Sequence, residues 1–125
     1  MRGCGVRRKH HDLRLWQEAM ALVKEVYEAT AEFPRDEIYA LTSQMRRAAV
    51  SIPSNIAEGA ARTGGREFLQ FLSITRGSLS ELETQVVLAK DLGYLQDNQQ
   101  LLESIEKIFG LAGGLMNSLQ KKVSK

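Results

Sequence analysis

The sequence is short of the residues that lock a chain together from outside its core. A single cysteine, Cys4, excludes an internal disulfide, and a reducing cytoplasm is the expected compartment for such a chain. Only two prolines interrupt 125 residues, which leaves long stretches open to helix. The two histidines, His10 and His11, are adjacent near the start, and the Glu-x-x-His pairs of di-iron bundles are missing. No metal or cofactor is therefore expected. No apolar run approaches the ~20 residues needed to span a bilayer, so no membrane partner is expected either. The opening stretch is basic, but no apolar core follows it, so it does not read as a secretory signal. No segment alternates like a strand, and Thr63-Gly64-Gly65-Arg66 reads as a turn rather than a phosphate cradle.

What is present is apolar and charged in proportion: 43% and 26% of residues, enough for one domain with a real core. The net charge of +2 hides an asymmetry. Residues 1–12 carry four cations against Asp12, and Lys121, Lys122 and Lys125 make the tail basic as well. The body between them holds ten basic and fourteen acidic side chains. Basic ends on an acidic body serve either as a nucleic-acid handle or simply as solubilising, frayed termini. Residues 1–11 are read here as a basic, flexible extension and 12–122 as the folded unit.

Apolar spacing divides that unit into four helices, at about 13–33, 36–62, 66–92 and 98–122. In the first, Leu13, Trp16, Met20, Val23 and Tyr27 form a stripe that Leu15, Ala19, Leu22 and Val26 widen, with Asp12 as a plausible N-cap. The second begins near Asp36 and runs Ile38, Leu41, Met45, Ala48, Ile52, Ile56 and Gly59 along its seam. The third carries Phe68, Leu72, Thr75, Leu79, Leu82, Val86 and Ala89 up to Gly93, and Asp97 is placed to cap the fourth. Connections this short join antiparallel neighbours. The expected fold is all-α: an antiparallel, up-down-up-down four-helix bundle.

Residues 44–62 combine this seam with features that a helix normally avoids. Pro53 removes a hydrogen bond and crowds the Ala49 carbonyl, so it is expected to kink or locally break the helix. Ser51, Ser54 or Asn55 would then satisfy the freed carbonyl. Asn55 and Glu58 share a face, and Arg62 stands four residues after Glu58, the favourable order for a helix ion pair. Arg46 and Arg47 point about 100° apart, so both cannot sit in the seam. They suit salt bridges at the surface or between subunits, or phosphate contact together with Arg62, Arg66 and Arg76. In the third helix Gly77-Ser78 is costly for propensity and would let another backbone approach, while Glu81 and Glu83 are placed to answer the arginines. Glu58 has no histidine, second carboxylate or nucleophile beside it in sequence, so no catalysis is expected. An enzyme would need a lipophilic pocket beside Pro53 with Glu58 as base.

Three blocks then carry a resemblance: Asp12-Leu13-Arg14-Leu15-Trp16-Gln17-Glu18-Ala19, the run from Leu41 through Gln44-Met45-Arg46-Arg47 to Pro53-Ser54-Asn55-Ile56-Ala57-Glu58-Gly59, and Arg76-Gly77-Ser78-Leu79-Ser80-Glu81-Leu82-Glu83-Thr84. Together with Phe33-Pro34 they resemble the bacterial four-helix-bundle proteins encoded in intervening sequences of 23S ribosomal RNA genes. The resemblance implies a ring-shaped homopentamer with no enzymatic activity or cofactor. It also implies similarity in fold to the accessory protein of diversity-generating retroelements, a basic pentamer that binds nucleic acid and a reverse transcriptase. The leading expectation is a non-enzymatic oligomer that binds RNA or a nucleic-acid-processing partner through arginine-lined surfaces. The alternative is a protein-binding scaffold whose arginines serve subunit contacts.

Overall fold

The computed structural model describes residues 7–124. Among them the elements are four helices, α1 (Arg14–Thr30), α2 (Leu41–Ala60), α3 (Gly65–Asp91) and α4 (Gln99–Val123), with short 3₁₀ turns at Lys9–Asp12 and Arg35–Glu37. No strand occurs among the described residues. α1 packs on α2 and α4, and α3 packs on the same two, so the four helices of this bundle enclose one core.

The seams of α2 and α3 are buried much as their spacing predicts, from Leu41 to Ile56 and from Phe68 to Ala89. Ile38 is the exception and stays largely exposed, because the chain there is not yet helical. In α1 the roles of the two stripes are exchanged. Leu15, Ala19, Leu22 and Val26 face the core, whereas Met20 and Tyr27 are exposed and Trp16 and Val23 only half-buried. Both stripes have helical spacing, so periodicity alone does not choose between them. The stripe that faces inward is the one with Leu15, Leu22 and Val26 around Ala19, all four buried.

Helix ends are set by contacts that spacing does not reveal. Asp12, the last residue of the first 3₁₀ turn, pairs with Arg7 ahead of that turn instead of capping α1, whose cap position is Leu13. α1 stops at Thr30, three residues short of Phe33. α2 starts at Leu41 rather than near Asp36, since Ala40 takes a non-helical backbone (φ −125°, ψ −107°). There the Glu37 carboxylate accepts the Leu41 N–H at 3.1 Å and the Tyr94 hydroxyl at 2.8 Å, tying two connections together at one end of the bundle. That bond and the nearby negative charge raise the Tyr94 phenol above its ordinary pKa. α3 closes with Gly93 at φ 84°, and the Tyr94 and Gly93 N–H groups reach the Ala89 and Lys90 carbonyls in a Schellman arrangement. Asp97 accepts the Gln99 N–H at 2.9 Å at the start of α4.

α2 continues unbroken through the buried Pro53. The nearby side chains serve other carbonyls than that of Ala49: Ser51 bonds to Ala48 at 2.7 Å and Asn55 to Ser51 at 2.8 Å. The close backbone approach lies at Gly59 and not at Gly77. A Cβ on Gly59 would sit 2.7 Å from Phe71 Cβ and 2.8 Å from the Phe68 ring, whereas one on Gly77 would meet nothing within 4 Å.

These two glycines predict opposite outcomes in unfolding experiments. Gly59→Ala should destabilise by about 1–3 kcal/mol, because the Phe71 Cβ is fixed to backbone and cannot yield cheaply. Gly77→Ala should stabilise by up to about 1 kcal/mol through helix propensity alone.

Candidate functional site

The five arginines singled out by sequence occupy three separate places. Arg46 is half-buried and holds the end of α1: its Nε donates to Thr30 Oγ1 at 2.8 Å and its Nη2 to the Tyr27 carbonyl at 3.4 Å. Its guanidinium also lies over the Tyr27 ring, 4.5 Å from the centroid. α1 has no basic residue in its own last turn, so this cation on α2 answers the negative end of the α1 dipole. Arg47, one residue on, is exposed and makes no hydrogen bond or ion pair among the described residues.

Arg62 forms the expected pair with Glu58, at 3.5 Å, and rests over the Phe71 ring at 5.0 Å. Arg66 follows just inside α3, exposed, at the same end of the bundle. Arg76 lies elsewhere, beside Ser73, Gly77 and Phe109, with Met116 Sδ at 3.8 Å from its Nη1. The structure thus brings Arg46 to Arg47 and Arg62 to Arg66, and does not join the two pairs.

The polar residues of the motif also separate. Ser78 meets Ser51 across α2 and α3 at 2.7 Å, with Asn55 one turn along. Glu81 accepts from Gln85 at 3.4 Å, while Glu83 borders a groove with Leu102 and Glu106. Neither carboxylate pairs with an arginine among the described residues. Glu58 is exposed and paired, and the apolar groove beside Pro53, about 390 Å³, is lined by Trp16, Met20 and Val23 rather than by Glu58. No group of three or more His, Cys, Asp or Glu side chains clusters as a metal would require among the described residues. No helix among them is long and apolar enough to cross a membrane.

An open groove of about 680 Å³ lies between the end of α1 and the start of α2. Tyr27, Ile38, Tyr39, Arg47 and Val50 line it, together with Thr42, whose buried hydroxyl has no partner. Spacing gives Thr42 no distinction, because it is a small polar residue beside a seam leucine. Tyr39, 95% exposed, precedes the helix, and helical spacing gives it no distinction either.

A bundle with this division of polar and apolar surface is an all-α helical protein whose distinguishing residues lie on its outer faces. The family model for 23S rRNA-intervening sequence proteins matches residues 11–114, and the chain belongs to that family. No curated protein matches the chain.

The two adjacent arginines should separate in mutagenesis. Arg46→Ala, which releases the end of α1, should cost about 1–2 kcal/mol in denaturant unfolding. Arg47→Ala should stay within about 0.5 kcal/mol of wild type.

Proposed function

We propose that this protein is a non-enzymatic, cytoplasmic oligomer, a ring of five antiparallel up-down-up-down bundles, that binds RNA or a nucleic-acid-processing partner. The order of contacts between helices supports the alternating directions. Glu18 and Glu25 of α1 meet Lys107 and Ser104 of α4, so one helix ascends in number as the other descends. Ser51 with Ser78 and Arg62 with Phe71 give the same sense for α2 and α3.

The observation that carries the assembly is exposed apolar surface. Ile38, Tyr39, Tyr27 and Val50 surround the unpaired Arg47, and Ile74, Leu88 and Leu92 share another face along α3. Contiguous apolar surface with a polar rim is what subunit interfaces cover. Arg47 would then serve a neighbouring subunit's carboxylate, and the remaining cations would be repeated around the ring. Repetition matters because phosphate binding strengthens with the number of contacts. The placement of Glu58 in an exposed ion pair, away from the Pro53 groove, supports a non-enzymatic reading.

Native mass spectrometry or light scattering tests the assembly directly. Wild type should give five copies of the 14.0 kDa chain. Ile38→Asp with Tyr39→Asp should shift it to monomer with its helical circular dichroism retained. A monomeric wild type, or a variant still fully assembled, overturns this interface.

A further inference from the structure

Folding gathers cations from three stretches of sequence at one end of the bundle. At one end, Lys9, Arg62 and Lys122 line a cleft of about 330 Å³, and Arg66 and Lys121 stand next to it in sequence, all exposed. The start of α3 touches the end of α4 there, since a Cβ on Gly65 would lie 3.0 Å from Val123 Cγ2. The nearby carboxylates are Asp12, Glu58 and Glu67; the first two are taken by Arg7 and Arg62. Arg8, Lys9, Arg66, Lys121 and Lys122 make no ion pair among the described residues. The other end, around the Glu37–Tyr94 bond, carries Glu32, Asp36, Glu37, Asp91 and Asp97 against Arg35 and Lys90.

Beside the cationic cleft stands a cluster of three rings. His10 lies 4.4 Å from His11 and 5.0 Å from Trp16 between centroids, and His11 lies 5.3 Å from Trp16. The ring of His11 is fixed by the Arg8 N–H donating to its Nδ1 at 2.9 Å. Partial burial, with His11 and Arg8 as like-charged neighbours, lowers the pKa of His10 below its ordinary value. His10 and Trp16 also border the apolar groove at Pro53. Cations beside partly exposed rings are the combination that single-stranded nucleic acid uses, with phosphates on the former and bases against the latter. A duplex hides its bases from such rings, whereas an unpaired strand presents them.

We infer that this basic end of the bundle, with the His10–His11–Trp16 cluster at its side, is a binding surface for single-stranded RNA. The inference rests on the RNA-binding reading above; of the five arginines singled out by sequence it keeps Arg62 and Arg66 and joins them to cations from two distant stretches of the chain. Those stretches, 7–10 and 121–122, lie outside the family match.

The test uses the full-length protein and a fluorescent 20-nucleotide single-stranded RNA, titrated from 50 to 200 mM KCl. Arg66→Ala with Lys122→Ala should weaken binding at 50 mM at least tenfold and reduce the slope of log K against log salt by about 1.4, two contacts at ~0.7 each. His10→Ala should weaken it about fivefold or more with the slope unchanged. Arg35→Ala with Lys90→Ala removes the same charge from the acidic end and should leave binding intact. All variants keep the wild-type melting curve, because these side chains are exposed or at the bundle's edge. Equal losses from the two double variants, or loss only with Arg47→Ala, overturn the basic end as the site while the RNA reading stands. Preference for anionic phosphatidylserine vesicles over RNA overturns the proposal in favour of a membrane surface. Absence of RNA binding by wild type at 50 mM overturns both readings.

Discussion

The contact of Gly59 with Phe68 and Phe71 is the constraint on which the rest of the bundle depends. Because Gly59 has no side chain, α2 and α3 come together at the end where they are joined, and the connection over residues 61–64 can be short. The hairpin so fixed sets the register further along, where the Ser51 and Ser78 hydroxyls meet. It also places Phe71 under the Arg62 guanidinium, which keeps a charged side chain ordered at the surface on an apolar support. A larger residue at 59 would move all of these together, since they lie on one pair of helices.

α1 is held by different means. Its core face carries Leu15, Leu22 and Val26 around the small Ala19, and its last turn has no basic residue of its own, only the Thr30 hydroxyl donating to the Val26 carbonyl. Arg46 supplies what is missing from the neighbouring helix, bonding to Thr30 and Tyr27 and covering the Tyr27 ring. An arginine suits this position because its planar fork donates in two directions while its face lies on an aromatic ring. The consequence is a division of labour between adjacent residues: Arg46 is consumed inside the subunit, and Arg47 is turned outward into the groove.

The helices were legible in the sequence because each has a sustained apolar period, and the seams of α2 and α3 could be named almost residue by residue. Two things were not legible. The first is which stripe of α1 faces inward, because Trp16, Met20, Val23 and Tyr27 repeat as well as Leu15, Ala19, Leu22 and Val26 do. The second is where helices start, because Glu37 caps α2 from outside it and Asp12 is diverted to Arg7. Among the candidate residues, Arg62 with Glu58 was readable, being a local pair four residues apart. The separation of Arg46 from Arg66 and Arg76, and the role of Thr42 in the large groove, depend on tertiary packing that spacing does not encode.

The charge pattern is where sequence and structure differ most in meaning. Along the chain, the cations at 7–9 and 121–122 sit more than a hundred residues apart, and each group alone reads as a solubilising terminal stretch. In the bundle, α4 returns to the 3₁₀ turn that precedes α1, and Lys9 and Lys122 line one cleft with Arg62. Like charges gathered this closely repel one another, which costs stability wherever no counter-charge answers them. Five carboxylates, Glu32, Asp36, Glu37, Asp91 and Asp97, stand at the far end, out of reach of these cations. A fold that needed only solubility would be served equally well by interspersed signs. The cations gathered at one end and the rings of His10, His11 and Trp16 beside them are the two features on which the proposed single-stranded RNA surface rests.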